Sequence, residues 1–195
     1  GVGIPGGYII SSPAVVGGRV YLGSTDGWVY CRSATNGSQV WSFQTGGGVY
    51  SSPAVVSGRL YVGSVDGKVY CLNANTGAHI WNYTTGGYVD SSPAVADGKV
   101  YIGSQDHKVY CLDAASGAFV WSYTTGAVEW ACSPAIAGGL VYIGSNDTRV
   151  YCLNATTGSR VWSYKTGGAS GHNPAVVHAV TYVGSGASYV YAVGV

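Results

Sequence analysis

A chain of 195 residues with 47% hydrophobic residues can bury a substantial core. Charged residues make up only 9% and the net charge is +1, so there is no basic stripe to neutralise phosphates and nucleic-acid binding is not expected. No apolar run reaches the roughly 18 residues of a membrane-spanning helix, so no membrane insertion is expected either. Glycine (32) and tyrosine (17) abound while phenylalanine (2) and methionine (0) are scarce, a mix that reads as short strands joined by tight turns.

The chain opens Gly-Val-Gly without a methionine, which fits a removed leader and a fragment boundary alike. From there a tetrad of two small residues, Pro and Ala recurs, with its prolines at Pro13, Pro53, Pro93, Pro134 and Pro174, 40, 40, 41 and 40 residues apart. The second and third units agree at 23 of 40 positions, which marks a repeat protein. Each unit holds four short β-runs, in the second unit Pro53 to Val56, Leu60 to Ser64, Lys68 to Leu72 and His79 to Thr84. Asp66-Gly67 between the second and third runs reads as a two-residue hairpin with positive φ at both positions. Four antiparallel strands per 40 residues predict an all-β fold, a β-propeller of four-stranded blades. The blades fall at about 11–45, 51–85, 91–125, 132–166 and 172–195, a single domain of five. The fifth unit stops before a fourth run. Gly1 to Ile4 align with Trp41 to Gln44, so the N-terminal segment is expected to complete the last blade. The alternative is that the chain is part of a larger ring.

The stretches SATNGSQVW, LNANTGAHIW, LDAASGAFVW and LNATTGSRVW repeat Ala, Gly and Trp at fixed offsets, each after a Gly-Ser hairpin that leads into Val-Tyr. In this the chain resembles the PQQ-like, or quinoprotein-type, β-propeller repeat family, over essentially its whole length. The resemblance implies that Trp41, Trp81, Trp121 and Trp162 pack between neighbouring blades. A large apolar plate at one fixed place per sheet, facing small residues of the next, agrees with that role. Members of the family commonly have more blades, often eight. Quinoprotein dehydrogenases, as the resemblance implies, hold their cofactor with adjacent cysteines, a calcium and a catalytic Asp on long inserted loops. This chain has no Cys-Cys pair and no such insertions.

Cys31, Cys71, Cys111 and Cys152 share one place in the third run. Equivalent atoms in stacked sheets lie about 10 Å apart, too far for a disulfide, so these are expected to be buried free thiols, and Cys132 another. Asp26, Asp66, Asp106 and Asp147 recur in the hairpin and read as turn residues. Asn73, Asp113 and Asn154 read as side chains bonded to the backbone of the loop that follows them. The repeats disagree in the loops between blades, and there a repeated frame carries any asymmetric site. The candidate ligand residues are Tyr50, Asp90, Glu129, Trp130 and His172, with Trp130 or Tyr50 placed to stack on a sugar and the acids to accept its hydroxyls. Asn36, Asn82, Asn146 and Asn154 head N-x-S/T sequons.

No nucleophile elbow, phosphate loop or zinc-spaced set occurs, so no enzyme, no cofactor and no metal are expected. The expected function is a secreted scaffold at the cell surface, binding a protein partner or itself through its terminal strands. A carbohydrate-binding module, taking glycans on the variable loops, is the alternative.

Overall fold

In a computed structural model, which describes residues 6–127, 132–177 and 180–194, the chain is all-β. Among the described residues there are 19 strands and no helix, in five antiparallel sheets. The chain divides into two compact units, Gly1–Pro93 and Ala94–Val195. The first unit holds β1 (Ala14–Val16), β2 (Arg19–Gly23), β3 (Trp28–Ser33) and β4 (Gln39–Gln44), then β5 (Ala54–Val56), β6 (Arg59–Gly63), β7 (Lys68–Asn73) and β8 (His79–Thr84). The second begins with β9 (Ala94–Ala96), β10 (Lys99–Ser104), β11 (Lys108–Asp113) and β12 (Phe119–Thr124). It continues with β13 (Ala135–Ala137), β14 (Leu140–Ser145), β15 (Arg149–Asn154) and β16 (Arg160–Lys165), and ends with β17 (Ala175–Val177), β18 (Val180–Ser185) and β19 (Tyr189–Gly194). Strands pair in chain order within each sheet. These are five blades of the β-propeller class, four of four strands and one of three. The assignment of Gly1 to Ile4 to the last blade lies outside the described residues.

Turn chemistry sets the hairpins. In the four blades of four strands the turn with two left-handed residues is the first, not the second. Ser57 and Gly58 have φ of 50° and 74°, and Gly17-Gly18, Asp97-Gly98 and Gly138-Gly139 repeat this. Each is a two-residue type I′ turn, with Val56 paired to Arg59. At the second hairpin the expected two-residue turn is corrected. Ser64 accepts the Gly67 N–H at 3.1 Å and donates its own N–H to the Lys68 carbonyl. Only Gly67 is left-handed there (φ 81°), so the loop has three residues, a type I turn closed by one αL residue. That frees Asp66 from any demand for positive φ and leaves its carboxylate available for bonding. His107, Thr148 and Ser188 take the αL place in the later blades.

The second and third strands of the second, third and fourth blades are the buried ones. Val69, Tyr70, Cys71 and Leu72 are all buried, because residues on both faces of the strand meet other side chains. Each third strand that carries a cysteine pairs it with the tryptophan of the fourth strand, as Cys71 with Trp81, and the register then slips by one residue. Within the first unit, Trp41 of one blade lies in a notch made by Gly77 of the next. A Cβ on Gly77 would stand 2.7 Å from the indole. The indole N–H donates to the Ala74 carbonyl at 3.0 Å, and Tyr21 Oη donates to the same oxygen. In the second unit Trp121, Gly158 and Ala155 repeat the arrangement, with 3.1 Å for the indole bond. Thus the repeat's Ala and Gly are there for an acceptor and a vacancy, and the Trp fills both.

Candidate functional site

The loop region is built from three recurring devices. The first is a carboxylate latch. Asp66 Oδ1 accepts the Lys68 N–H at 3.0 Å, which closes its own turn. Its Oδ2 accepts the Tyr70 hydroxyl at 2.5 Å and, from the preceding blade, the Gly46 N–H at 2.8 Å. Asp147 takes the Tyr151 hydroxyl and the Gly126 N–H in the same way. The hairpin Asp is therefore more than a turn residue; it ties one blade to the loop that enters it. In the last blade Ala187 stands at this place, and the Gly167 N–H donates to Tyr191 Oη at 2.9 Å instead.

The second device is the Ser pair of the tetrad. Its first member braces its own blade, since Ser11 Oγ donates to the Gly23 carbonyl and accepts the Gly23 N–H. Its second member links blades: the Ser12 N–H donates to Ser52 Oγ, and the Ser52 N–H to Ser92 Oγ. In the second unit the Ser133 N–H donates to Asn173 Oδ1 at 2.7 Å. Cys132, in place of the first Ser, sets its thiol 3.3 Å from the His172 carbonyl. Sequence reading missed this chain of links, although Ser-Ser at a fixed place in three units was the available signal.

The third device divides the variable loop at three places, Val49, Val89 and Ser170, whereas Ile9 in the middle of the first loop is 37% exposed. At those three places the middle residue is an anchor: Val49 and Val89 are fully buried, their N–H groups donating to Ser24 and Ser64 carbonyls, and Ser170 likewise to Ser145. Gly23 and Gly63 make room for the two valines, at distances a Cβ would not survive. The flanking residues face outward. Tyr8, Ile10, Tyr50 and Tyr88 are exposed by 81, 56, 43 and 56%, all on loops of the first unit.

Of the candidate ligand residues, Tyr50 is exposed and Asp90 half-buried, and each lies two residues before a serine of the linking chain. His172 is exposed, in the second unit. Glu129 and Trp130 lie outside the described residues. Among the sequon asparagines Asn36 and Asn82 are exposed; Asn36 Oδ1 accepts the Ser38 N–H, and Asn82 lies 2.9 Å from His79 Nε2. Asn154 accepts the N–H groups of Thr156 and Thr157, as Asn73 and Asp113 do in their loops. Asn146 is half-buried.

All five cysteines are free and buried. Burial pushes the Cys71, Cys111 and Cys152 thiols up to about 11, which suppresses the thiolate at neutral pH. Burial, and after it the bond to Asp66, pushes Tyr70 up to about 12. Among the described residues no group of three His, Cys, Asp or Glu side chains is placed to hold a metal ion, and no helix is long and apolar enough to cross a membrane.

Stacked four-stranded sheets, the Trp–Gly–Ala joint and the carboxylate latch define a PQQ-like repeat propeller. More particularly, the chain belongs to the family described as outer membrane protein assembly factor BamB, whose model matches residues 5–195. It is similar in fold to BamB from Moraxella catarrhalis, at 20% identity and a TM-score of 0.82, over 95% of this chain and 58% of that one. The computationally designed Ika8 protein is also similar (16%, TM-score 0.83, 94% and 57%). So is the quinohemoprotein alcohol dehydrogenase ADHIIG from Pseudomonas putida HK5 (20%, TM-score 0.76, 96% and 42%). The chain thus spans about two fifths to three fifths of these proteins. No curated protein matches it.

Proposed function

We propose that the chain is a non-catalytic scaffold for protein interaction and assembly, working on the outer side of a cell membrane and associating with itself through its terminal strands. The observation that carries this is the set of exposed apolar side chains on loops of the first unit, Tyr8, Ile10, Tyr50 and Tyr88, the last two beside the buried anchors Val49 and Val89. Exposed apolar clusters of this kind mark contact surfaces. The description of its family as an assembly factor supports the same reading, as does a charge content too low to keep such surfaces apart. We take residues 1–195 as one propeller domain, and Asn36 and Asn82 as the sequons best exposed for modification.

Sedimentation at micromolar concentration, with and without residues 1–4, tests the self-association. Concentration-dependent assembly that is lost on truncation supports it, and a strict monomer in both forms rejects it. Replacing Tyr8, Tyr50 and Tyr88 together by Ser tests the loop surface; the expected result is loss of partner binding with the fold intact. A reading frame that continues the repeat would make the chain part of a larger propeller. The sugar-binding alternative has less behind it, and glycan-array binding abolished by Trp130→Ala is what would reinstate it.

A further inference from the structure

One loop of the frame is chemically unlike its copies. Between β3 and β4 the chain reads Asn36-Gly37, where the next three blades have Thr76-Gly77, Ser116-Gly117 and Thr157-Gly158. In those blades a hydroxyl oxygen accepts the N–H two places on, from Ala78, Ala118 and Ser159, at 3.3 Å in each. In the first blade a carboxamide takes that place, and Asn36 Oδ1 accepts the Ser38 N–H at 3.0 Å. Of the chain's asparagines, Asn36 alone is followed by glycine.

A hydroxyl at this place is inert, and a carboxamide is not. Asparagine is thermolabile because the amide nitrogen of the next residue can attack its side-chain carbonyl carbon and close a succinimide ring. A following glycine, with no Cβ, leaves that nitrogen unhindered and the backbone free to turn. The reaction balances with water alone. The Gly37 nitrogen gives up its proton and bonds to Asn36 Cγ, and Nδ2 leaves as ammonia. Water then opens the ring at one or other carbonyl, giving aspartate or isoaspartate.

Asn36 is exposed, so burial does not keep water from it. The loop opposes the reaction through its hydrogen bonds instead. The nucleophile is engaged: the Gly37 N–H donates to the Ser33 carbonyl at 2.9 Å, with Gly37 left-handed at φ 74°. The electrophile is engaged as well, since Asn36 Oδ1 is held by Ser38. Arg32 Nη1 donates to the Gly37 carbonyl at 3.1 Å, and the Ser33 N–H donates to the Ser38 carbonyl at 2.9 Å, which closes the loop. Attack therefore requires that the bond from Gly37 to Ser33 break and the turn open. A short exposed turn opens at a lower free energy than the whole fold.

We propose that Asn36-Gly37 is a site of spontaneous deamidation, held in check by its turn and reached by local opening of the loop between β3 and β4. The new carboxylate takes the formal net charge from +1 to 0, and an Asn36 that has lost Nδ2 can carry no glycan. Neither consequence depends on the scaffold role. The whole chain is incubated in neutral buffer, native and in guanidinium chloride, and samples are digested with trypsin. The tryptic peptide Ser33–Arg59 has Asn36 as its sole asparagine. The expected result is two new forms of this peptide, heavier by the exchange of an amide for an acid and separable by chromatography. They should accumulate about tenfold or more faster in the denatured chain than in the native one. Asn36→Asp supplies the aspartate standard, and Asn36→Thr, the residue of the second and fourth blades, should abolish both forms. Asp147→Ala, which lowers overall stability from the second unit, should leave the native rate unchanged. No conversion in the denatured chain would overturn the site, and equal rates in the two states would overturn the hold of the turn. Conversion confined to the denatured chain, or a native rate that rises with Asp147→Ala, would overturn local opening.

Discussion

The fourth and fifth blades of the chain, both in the second unit, share the repeat pattern and are unlike in burial. Val150 on β15 is fully buried, whereas Val190, at the same place on β19, is 75% exposed. Tyr142 is 2% exposed and Tyr182 is 43% exposed. The runs Arg149–Asn154 and Tyr189–Gly194 have the same alternation, so the difference does not come from the strand itself. β15 has β16 hydrogen-bonded along its outer edge; β19 has no such partner among the described residues. A blade's third strand is a core strand only when a fourth strand and a neighbouring sheet cover it. Apolar pattern supplies the capacity for burial, and neighbours supply the burial.

That comparison can be broken most severely at the tryptophans. Trp121→Ala removes a buried ring, its bond to Ala155 and the filling of the Gly158 notch, and should cost about 3–5 kcal/mol in urea unfolding. Trp162 is half-buried, and its indole N–H has no acceptor among the described residues. Trp162→Ala should therefore cost less than half as much, and equal losses would contradict the contrast.

The latches come next. Asp147→Ala strands the Tyr151 hydroxyl and the Gly126 N–H and should cost about 1–3 kcal/mol. Tyr191→Phe, which removes the single neutral bond that stands in for the latch in the last blade, should cost about 0.5–1.5 kcal/mol.

Alkaline pH separates the blades more gently. A thiol held at about 11 in the fold against an ordinary value of 9 favours the protonated form. Its contribution is whole below about pH 9 and is lost as the pH climbs through 11. Denaturation midpoints should fall across that window, and Cys152→Ala, which copies Ala192 of the last blade, should reduce the slope. The smallest effect is a gain. Thr148 is a β-branched residue at φ 69°, and Thr148→Gly should raise stability by up to about 1 kcal/mol. A loss there would show that the side chain has an unrecognised role.

Much of this was legible in the chain itself. The 40-residue period, the bounds of β8 at His79–Thr84 and the shared place of the four cysteines follow from residue type and spacing, because strand alternation and glycine turns are local physics. The hairpin was misread for a local reason too: Asp-Gly signals a turn, but the bond from Gly67 to Ser64 moves that turn back by one residue. The variable loops were visible as the places where the repeats disagree, yet only packing separates the anchors Val49 and Val89 from the outward Tyr50 and Tyr88. Glu129 and Trp130, which the sequence also proposed, lie outside the described residues.

What the sequence determined by itself is the blade: four strands, their order, and which residues recur. Tertiary structure decided what each recurring residue is for. The Gly77 notch, the Ala74 acceptor, the Asp66 latch and the Ser12-to-Ser52 link each join one repeat to the next. A period read along one chain contains no record of which face meets which.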